Sequence, residues 1–133
     1  MRRIKLIYLL FISIALVGCD PGQILIIRVP NKSETSVTIF ANKNILPFDK
    51  GNEKIVIQIP NNKLKPKYDT LFRYGLGAWR EKTEIDYFVS NIDSIILRNT
   101  VNIEVFKDKD AIKNYLMKHR SGYLKSTLTI EAK

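Results

Sequence analysis

The stretch that decides the fold class, residues 24–41, reads ILIIRVPNKSETSVTIFA. Its first six residues form a nearly continuous apolar run rich in β-branched side chains, which favour strands. Turn-forming residues occupy positions 31–34, and after them Val37 and Ile39 alternate with polar residues. Two strand-like runs separated by a short polar cluster are typical of a β-hairpin. The stretch therefore predicts an early hairpin with a longer loop and a β-rich domain around it.

Three later segments also carry the two-residue period of a strand. Residues 54–59 place three isoleucines on one face, and residues 101–106 alternate valine and isoleucine with asparagine and glutamate. Residues 123–130 end in a similar run. Together with the first two, these segments give about five strands. A further short strand around residues 68–74 stays open as an alternative.

Two segments carry helical spacing instead. Between residues 83 and 98 the apolar residues recur three and four positions apart, which predicts a helix. Residues 94–98 alone also fit a strand. Asp108 or Asp110 fits the N-cap of a second helix, in which four residues between positions 112 and 119 share one face. Grouped strands with two helices predict an α+β fold, a small antiparallel β-rich domain built as a sheet or a sandwich.

The N-terminal end has the organisation of a secretory signal. Three basic residues within the first five precede an apolar run of 12 residues at positions 6–17. A positive start followed by a run of this length is typical of an export signal, whereas a membrane-spanning helix needs roughly 20 apolar residues. We therefore expect residues 1–18 to be a signal peptide and residues 19–133 to be a single domain.

The residues at the end of this leader, Leu16-Val17-Gly18-Cys19, resemble the lipobox of bacterial lipoproteins. In that family the cysteine thiol receives a diacylglyceryl group before a peptidase cuts in front of it. The resemblance implies fatty acid such as palmitate on Cys19, and a domain held outside the cytoplasm at the cell membrane or outer membrane. Because the chain has one cysteine, an intramolecular disulfide is excluded. Two acyl chains supply the stable attachment that one chain does not.

A second resemblance lies near the C-terminus, where residues 99–108 read NTVNIEVFKD. This stretch and the helix after it resemble small uncharacterised lipoproteins common in Bacteroidota. Those proteins share a lipobox, an early two-strand hairpin, a mid-chain tryptophan (here Trp79), an alternating strand and an amphipathic helix. The resemblance covers most of the chain after the leader and implies a cell-envelope location and a small β-rich fold. It carries over no activity and no binding residue.

The charge balance is basic, with a formal net charge of +9. Without the three basic residues of the leader, 19 basic and 13 acidic residues remain, a net charge of +6. A basic excess attracts polyanions, but a lysine-rich surface that only contacts water produces the same balance. Because the signal exports the domain away from nucleic acid, we expect no nucleic-acid partner.

The candidate binding surface lies in residues 61–80, where strand or helix periodicity is lost and basic residues interleave with aromatic ones. Its members are Lys63, Lys65, Lys67, Tyr68, Arg73, Tyr74, Trp79 and Arg80. Aromatic faces supply contact area and cations supply charge, which suits an envelope protein or a polyanion as partner. The alternative is a segment whose aromatic side chains pack on the core while its cations face water.

Enzymatic chemistry has weak support in the sequence. The one histidine, His119, falls at a helix end, where an imidazole interacts favourably with terminal carbonyls. No catalytic residue, cofactor or metal site is therefore expected. The prediction is a lipid-anchored envelope protein with a non-enzymatic binding or structural role. The alternative is an envelope enzyme that acts on a wall glycan or peptide through carboxylates near residues 61–80. Those carboxylates are Asp69, Glu81, Glu84 and Asp86.

Overall fold

A computed structural model of the chain describes residues 21–30, 34–47, 51, 53–60 and 67–133, without the side chains of residues 67–69. Within these ranges the chain forms eight strands and two α-helices, where about five strands were predicted. The strands are β1 (Gly22–Pro30), β2 (Ser36–Asn42), β3 (Lys54–Pro60), β4 (Lys67–Leu76), β5 (Ile92–Arg98), β6 (Ile103–Phe106), β7 (Arg120–Ser121) and β8 (Thr127–Glu131). The helices are α1 (Asp86–Ser90) and α2 (Lys109–Lys118). A π-helical turn at Glu81–Ile85 leads into α1, and 3₁₀ turns occupy Lys43–Ile45 and Tyr123–Lys125.

The strands form two four-stranded sheets. The first has the order β4-β1-β8-β7 and the second the order β3-β2-β5-β6. Neighbouring strands are antiparallel except for β1 and β8, which are parallel. The structure confirms the predicted class, a small α+β, β-rich domain with two helices.

Both sheets contribute to one hydrophobic core. The inward residues of β1 and β2 are almost fully buried, because each of these strands lies inside its sheet and turns one apolar face to the core. They are Leu25, Ile27 and Val29 in β1, and Val37, Ile39 and Ala41 in β2. Burial of a large aliphatic side chain contributes about 1.5–3 kcal/mol. Ile112 and Leu116 of α2 join the same core, so the helix closes one side of the sandwich.

The predicted hairpin between β1 and β2 is wrong. β1 pairs with β4 and β8, whereas β2 pairs with β3 and β5 in the other sheet. A hairpin would set the apolar faces of both strands on one side of a single sheet. Because β1 and β2 lie in separate sheets, their apolar faces enclose a common core from two sides. Partners from later in the chain supply the hydrogen bonds that a hairpin would have supplied.

The predicted helix at residues 83–98 is correct only in its first half. α1 ends at Ser90, and β5 follows with Ile92, Ile95 and Leu97 buried. The Lys109 ammonium from α2 donates hydrogen bonds to carbonyls at the end of α1, including that of Ser90, and to the carbonyl of Ile92. A cation at this position satisfies carbonyls that a continuing helix would have used. The strand alternative for residues 94–98 is therefore the right one.

Two further predictions concern the edges of the fold. Residues 67–76, expected to be mostly irregular, form β4, which pairs with β1 over its full length. Residues 54–59 form a strand as predicted, but β3 lies at the edge of its sheet and its three isoleucines are only half-buried. Asp108 is the N-cap of α2, as one alternative predicted, and its carboxylate accepts the Ala111 N–H at 2.9 Å.

The turn before α1 is held by a carboxylate. Glu84 pairs with the Arg80 guanidinium at 2.7 Å and accepts the Arg80 backbone N–H at 3.2 Å. The side-chain hydrogen bond from Arg80 is the main cause that lowers the pKa of Glu84 to about 2 from an ordinary value of 4.5, and a hydrogen bond from the Thr83 hydroxyl adds to it. A carboxyl whose pKa is lower in the folded state stabilises the fold above its unfolded value. That contribution is lost as the pH falls from about 4.5 to about 2.

Glu84→Gln is therefore expected to make the free energy of unfolding depend less steeply on pH in the acid range. The free energy of unfolding of the parent chain should exceed that of the variant near neutral pH and approach it below pH 4.5. The gap should be small, because Arg80 is exposed and the ion pair is screened. Urea unfolding followed by circular dichroism between pH 7 and pH 2 measures it. Glu34→Gln, at an exposed carboxylate away from this turn, is the control. Parallel profiles for the parent and Glu84→Gln would contradict the assignment.

Candidate functional site

Trp79, a member of the predicted binding surface, belongs to the core. Its side chain is 2% exposed, and its indole Nε1 donates a hydrogen bond to the Ile24 carbonyl at 3.0 Å. The indole meets the rings of Tyr74 and Phe88 edge to face, with ring centroids 5.0 and 5.5 Å away. The Tyr74 hydroxyl donates to the Ile45 carbonyl, and burial raises the pKa of Tyr74 well above its usual range. The expectation that these two aromatic side chains form a recognition surface is corrected, since both pack inward.

The remaining members of that surface are dispersed. Arg73 is exposed on β4, and Arg80 is exposed but engaged by Glu84. Lys67 and Tyr68 are residues of β4, and the structure describes their backbone but not their side chains. Lys63, Lys65 and the predicted lipid attachment residue Cys19 lie outside the described residues altogether. The alternation of β4 turns Phe72 and Tyr74 to the core, because one face of a paired strand is buried.

Three of the four carboxylates of the enzyme alternative are engaged in ion pairs. Lys113 of α2 lies 2.7 Å from Asp86 and 3.2 Å from Glu81, while Glu84 pairs with Arg80. The side chain of Asp69 lies outside the described atoms. In the ranges that the structure covers, no three His, Cys, Asp or Glu side chains are grouped so as to hold a metal ion.

The structure brings a different set of side chains together. A groove of about 350 Å³ lies between α2 and the β5–β6 pair and reaches the end of β8. This is the lower end of the size range of small-ligand pockets. Apolar and aromatic residues form one part of its wall, namely Leu97, Phe106, Ala111 and Tyr115. Polar and charged residues form the rest, namely Arg98, Asn99, Glu104, Asn114, Lys118, His119, Glu131 and Lys133.

Three rings form a continuous aromatic wall in this groove. Phe106 lies 4.9 Å from Tyr115 between ring centroids, and Tyr115 stacks on His119 at 4.2 Å with an interplanar angle of 27°. Tyr115 and His119 are four residues apart, which places them on one face of α2 and its C-cap. Phe106 joins them because it is the half-buried end of β6, beside the helix. The rings give this side of the groove an aromatic wall.

Hydrogen bonds fix the position of this wall. The Tyr115 hydroxyl accepts the Glu131 backbone N–H at 3.1 Å and lies 3.4 Å from the Glu131 carbonyl. The His119 Nδ1 lies 2.7 Å from the Tyr115 carbonyl, the position of a donated N–H. Burial is the main cause that raises the pKa of Tyr115. Because the hydroxyl bonds to the backbone of β8, it fixes the Tyr115 ring in the wall of the groove.

The charged side of the groove carries both signs with a basic excess. Arg98 and Lys118 are exposed at its rim, and Lys133 lies two residues after the end of β8. Glu104 and Glu131 provide the negative charges. Such a rim favours a polar ligand with an anionic group. The sequence predicted the shared helical face of Tyr115 and His119, but no local pattern joined that face to β6 and β8.

Two sheets around one core, with a helix closing one side, form a small β-sandwich. Over 98 residues, 74% of its length, the chain is 30% identical to Cadherin-3 of Caenorhabditis elegans. The chain spans about 3% of the length of that protein. No protein-family model matches the chain, and no solved structure matches it. Within the described ranges, none of the helices has the length and apolar character needed to cross a membrane.

Proposed function

We propose that this chain is a non-enzymatic binding module of the cell envelope, anchored by lipid on Cys19, which binds a polar segment of an envelope partner in the groove between α2 and β6. The observation that carries the proposal is the groove itself, with an aromatic wall on one side and a basic rim on the other. The segment that suits it bears an anionic group for the rim and a flat apolar or sugar-like face for the rings.

The chemistry of the groove supports recognition over catalysis. Burial raises the pKa of Tyr115 and its hydroxyl accepts the Glu131 backbone N–H, so this phenol is poorly suited to act as a base or a nucleophile. Glycan hydrolysis would require a carboxylic acid with a raised pKa. Glu84, a carboxylate of the enzyme alternative, has a lowered pKa instead. The similarity to a segment of Cadherin-3 also supports a binding or structural role.

The direction of the strands suits an anchored module. β1 begins at Gly22, three residues after Cys19 in the sequence, and its residue Ile24 pairs with Thr127 at the start of β8. At the other end of the same pair, Arg28 lies beside Glu131, which lines the groove. Ile24 and Arg28 are four residues apart along the strand, so the two ends of this pairing are separated by about 13 Å. A lipid on Cys19 would thus leave the groove on the side away from the bilayer.

Charge reversal at the rim tests the proposed binding. We expect Arg98→Glu with Lys118→Glu to reduce partner capture roughly tenfold, because two rim attractions become repulsions. Capture is measured in intact envelopes with a photo-crosslinking amino acid at Asn114, an exposed position on the groove. The loss should be greater at low salt, since exposed charges act over about 8–10 Å.

Matched controls separate the groove from general charge. Lys82→Glu with Lys107→Glu reverses two exposed lysines outside the groove and should leave the crosslink intact. A crosslinker placed at Lys82 should give no equivalent product. Equal loss in both double variants, or a crosslink at Asn114 that survives rim reversal at every salt concentration, would reject the groove as the binding site.

A further inference from the structure

One end of the molecule exposes large apolar side chains that the groove does not use. Leu76 at the end of β4 is 73% exposed, and Tyr123 and Leu124 in the turn before β8 are 70% and 57% exposed. Lys125 is exposed beside them. We call these four residues the anchor-side end. Leucine at such exposure loses the stabilisation that burial would give, which points to a surface that something covers.

Backbone hydrogen bonds place this end around the start of β1. The Gly77 N–H donates to the Pro21 carbonyl at 2.8 Å, which sets Leu76 on one side of β1. The Ile24 N–H donates to the Ser126 carbonyl at 2.9 Å, which sets the Tyr123–Lys125 turn on the other side. Cys19 is two residues before Pro21, a span of at most about 7 Å. Both apolar elements thus lie next to the proposed lipid.

The conformation of the turn keeps its side chains outward. Leu124 has φ 53° and Lys125 has φ 57°. These values lie in the left-handed region, which residues other than glycine seldom adopt. The Lys125 carbonyl accepts the Trp79 N–H at 3.0 Å, and the Ser126 N–H donates to the Tyr123 carbonyl at 3.1 Å. A backbone held in such a conformation is typical of functional sites. Here it presents Tyr123 and Leu124 to the outside while Ser126 is buried.

We propose that the anchor-side end seats the domain on the bilayer interface, a contact that rests on the proposed lipid attachment at Cys19. Leu76 and Leu124 reach the boundary of the acyl chains. Tyr123 lies at headgroup level, where tyrosine is enriched in membrane proteins. Lys125 faces anionic phosphates, which attract basic residues at a membrane surface. Lipid and protein surface then act together, and the domain has a fixed orientation with its groove away from the membrane.

A second copy of the chain suits this surface less well. Stable protein interfaces bury about 800 Å² on each partner, and three apolar side chains with one lysine offer much less. The short tether also favours the bilayer, because it brings the membrane to this end whether or not another copy is present. The bilayer is therefore the occupant that the geometry supports.

Lipid contact at single positions tests the proposal. The full chain, lipidated and purified from membranes, is reconstituted into vesicles of phosphatidylethanolamine and phosphatidylglycerol that include brominated acyl chains. Since Cys19 is acylated, Tyr123→Cys gives one free thiol for an environment-sensitive fluorophore. We expect blue-shifted emission and at least twofold quenching by the brominated lipid. The control is Val101→Cys, in the turn between β5 and β6, 95% exposed and beside the groove residue Asn99. Its fluorophore should not be quenched.

A double variant that replaces both leucines with aspartate tests whether they make the bilayer contact. Leu76→Asp with Leu124→Asp should reduce the quenching at position 123 by half or more, while the protein still floats with the vesicles. Val56→Asp with Val101→Asp, at exposed apolar positions elsewhere, should leave it unchanged.

The outcomes separate the two proposals. Flotation without quenching at position 123, or equal quenching at positions 123 and 101, overturns the bilayer contact and leaves the anchor intact. Absence of both lipid label and flotation overturns the anchor and the contact that rests on it. A fluorescence change that depends on protein concentration and needs no vesicles indicates a second copy and also overturns the bilayer contact.

Discussion

Trp79→Ala is expected to cost about 3–5 kcal/mol of the free energy of unfolding, the range for aromatic side chains removed from a core. A domain of this size has roughly 5–15 kcal/mol in total, so the variant should be partly unfolded at 37 °C. The indole is 2% exposed and contacts Tyr74 and Phe88, so its removal leaves a cavity where three aromatic rings meet. The change also leaves the Ile24 carbonyl without the indole N–H.

The backbone of this residue adds to the expected effect. The Trp79 N–H donates to the Lys125 carbonyl, and its own carbonyl accepts a hydrogen bond from the Arg120 guanidinium at 3.0 Å. These bonds join the segment after β4 to the turn before β8. A cavity beneath the segment should loosen both elements together.

Urea unfolding followed by circular dichroism measures the change, since the variant lacks the one tryptophan of the chain. Trp79→Phe is the matched control. It keeps an aromatic ring but loses the indole donor, and should cost less than alanine does. Arg73→Ala, at an exposed member of the surface predicted from sequence, should stay within about 0.5 kcal/mol of the parent. A cost below about 1 kcal/mol for Trp79→Ala would contradict the placement of the indole in the core.

Cys19→Ala is expected to abolish lipid attachment completely. Cys19 is the one thiol in the chain, so no other cysteine can accept the diacylglyceryl group. Each buried CH₂ of an acyl chain contributes about 0.8 kcal/mol to membrane binding, and two chains are lost together. Radiolabelled palmitate should therefore be absent from the variant, and the protein should leave the membrane fraction.

Ser13→Ala serves as the control for this experiment, because it keeps the leader apolar and leaves the cysteine in place. Its labelling and fractionation should match those of the parent chain. Palmitate that persists on Cys19→Ala, or unlabelled parent protein, would end the lipoprotein hypothesis. If a small amount of unlabelled Cys19→Ala still binds anionic vesicles, the anchor-side end accounts for that binding without a lipid.

The candidate site was only partly within reach of the sequence. Tyr115 and His119 lie four positions apart on a helix, and that spacing predicts their shared face. Phe106 and Glu131 belong to strands whose neighbours are fixed by pairing, so nothing in the spacing brings them to the same groove. Trp79 is another residue whose position the sequence alone did not decide. Its basic and aromatic neighbours in sequence left open both a binding surface and a segment packed on the core. The indole N–H donates to the carbonyl of Ile24, 55 residues earlier, so the packed alternative holds for Trp79.

The sequence by itself determined the features that depend on local spacing. These are the strand periods of residues 24–41 and 54–59, an N-cap at Asp108 or Asp110 and the buried face of α2, because alternation and capping involve residues a few positions apart. The tertiary structure decided which strands pair, and so put β1 and β2 into separate sheets. It also made residues 92–98 a strand. Helix and strand patterns overlap in a short isoleucine-rich segment, and the free strand edges of β2 and β6 settle the choice by supplying its hydrogen bonds.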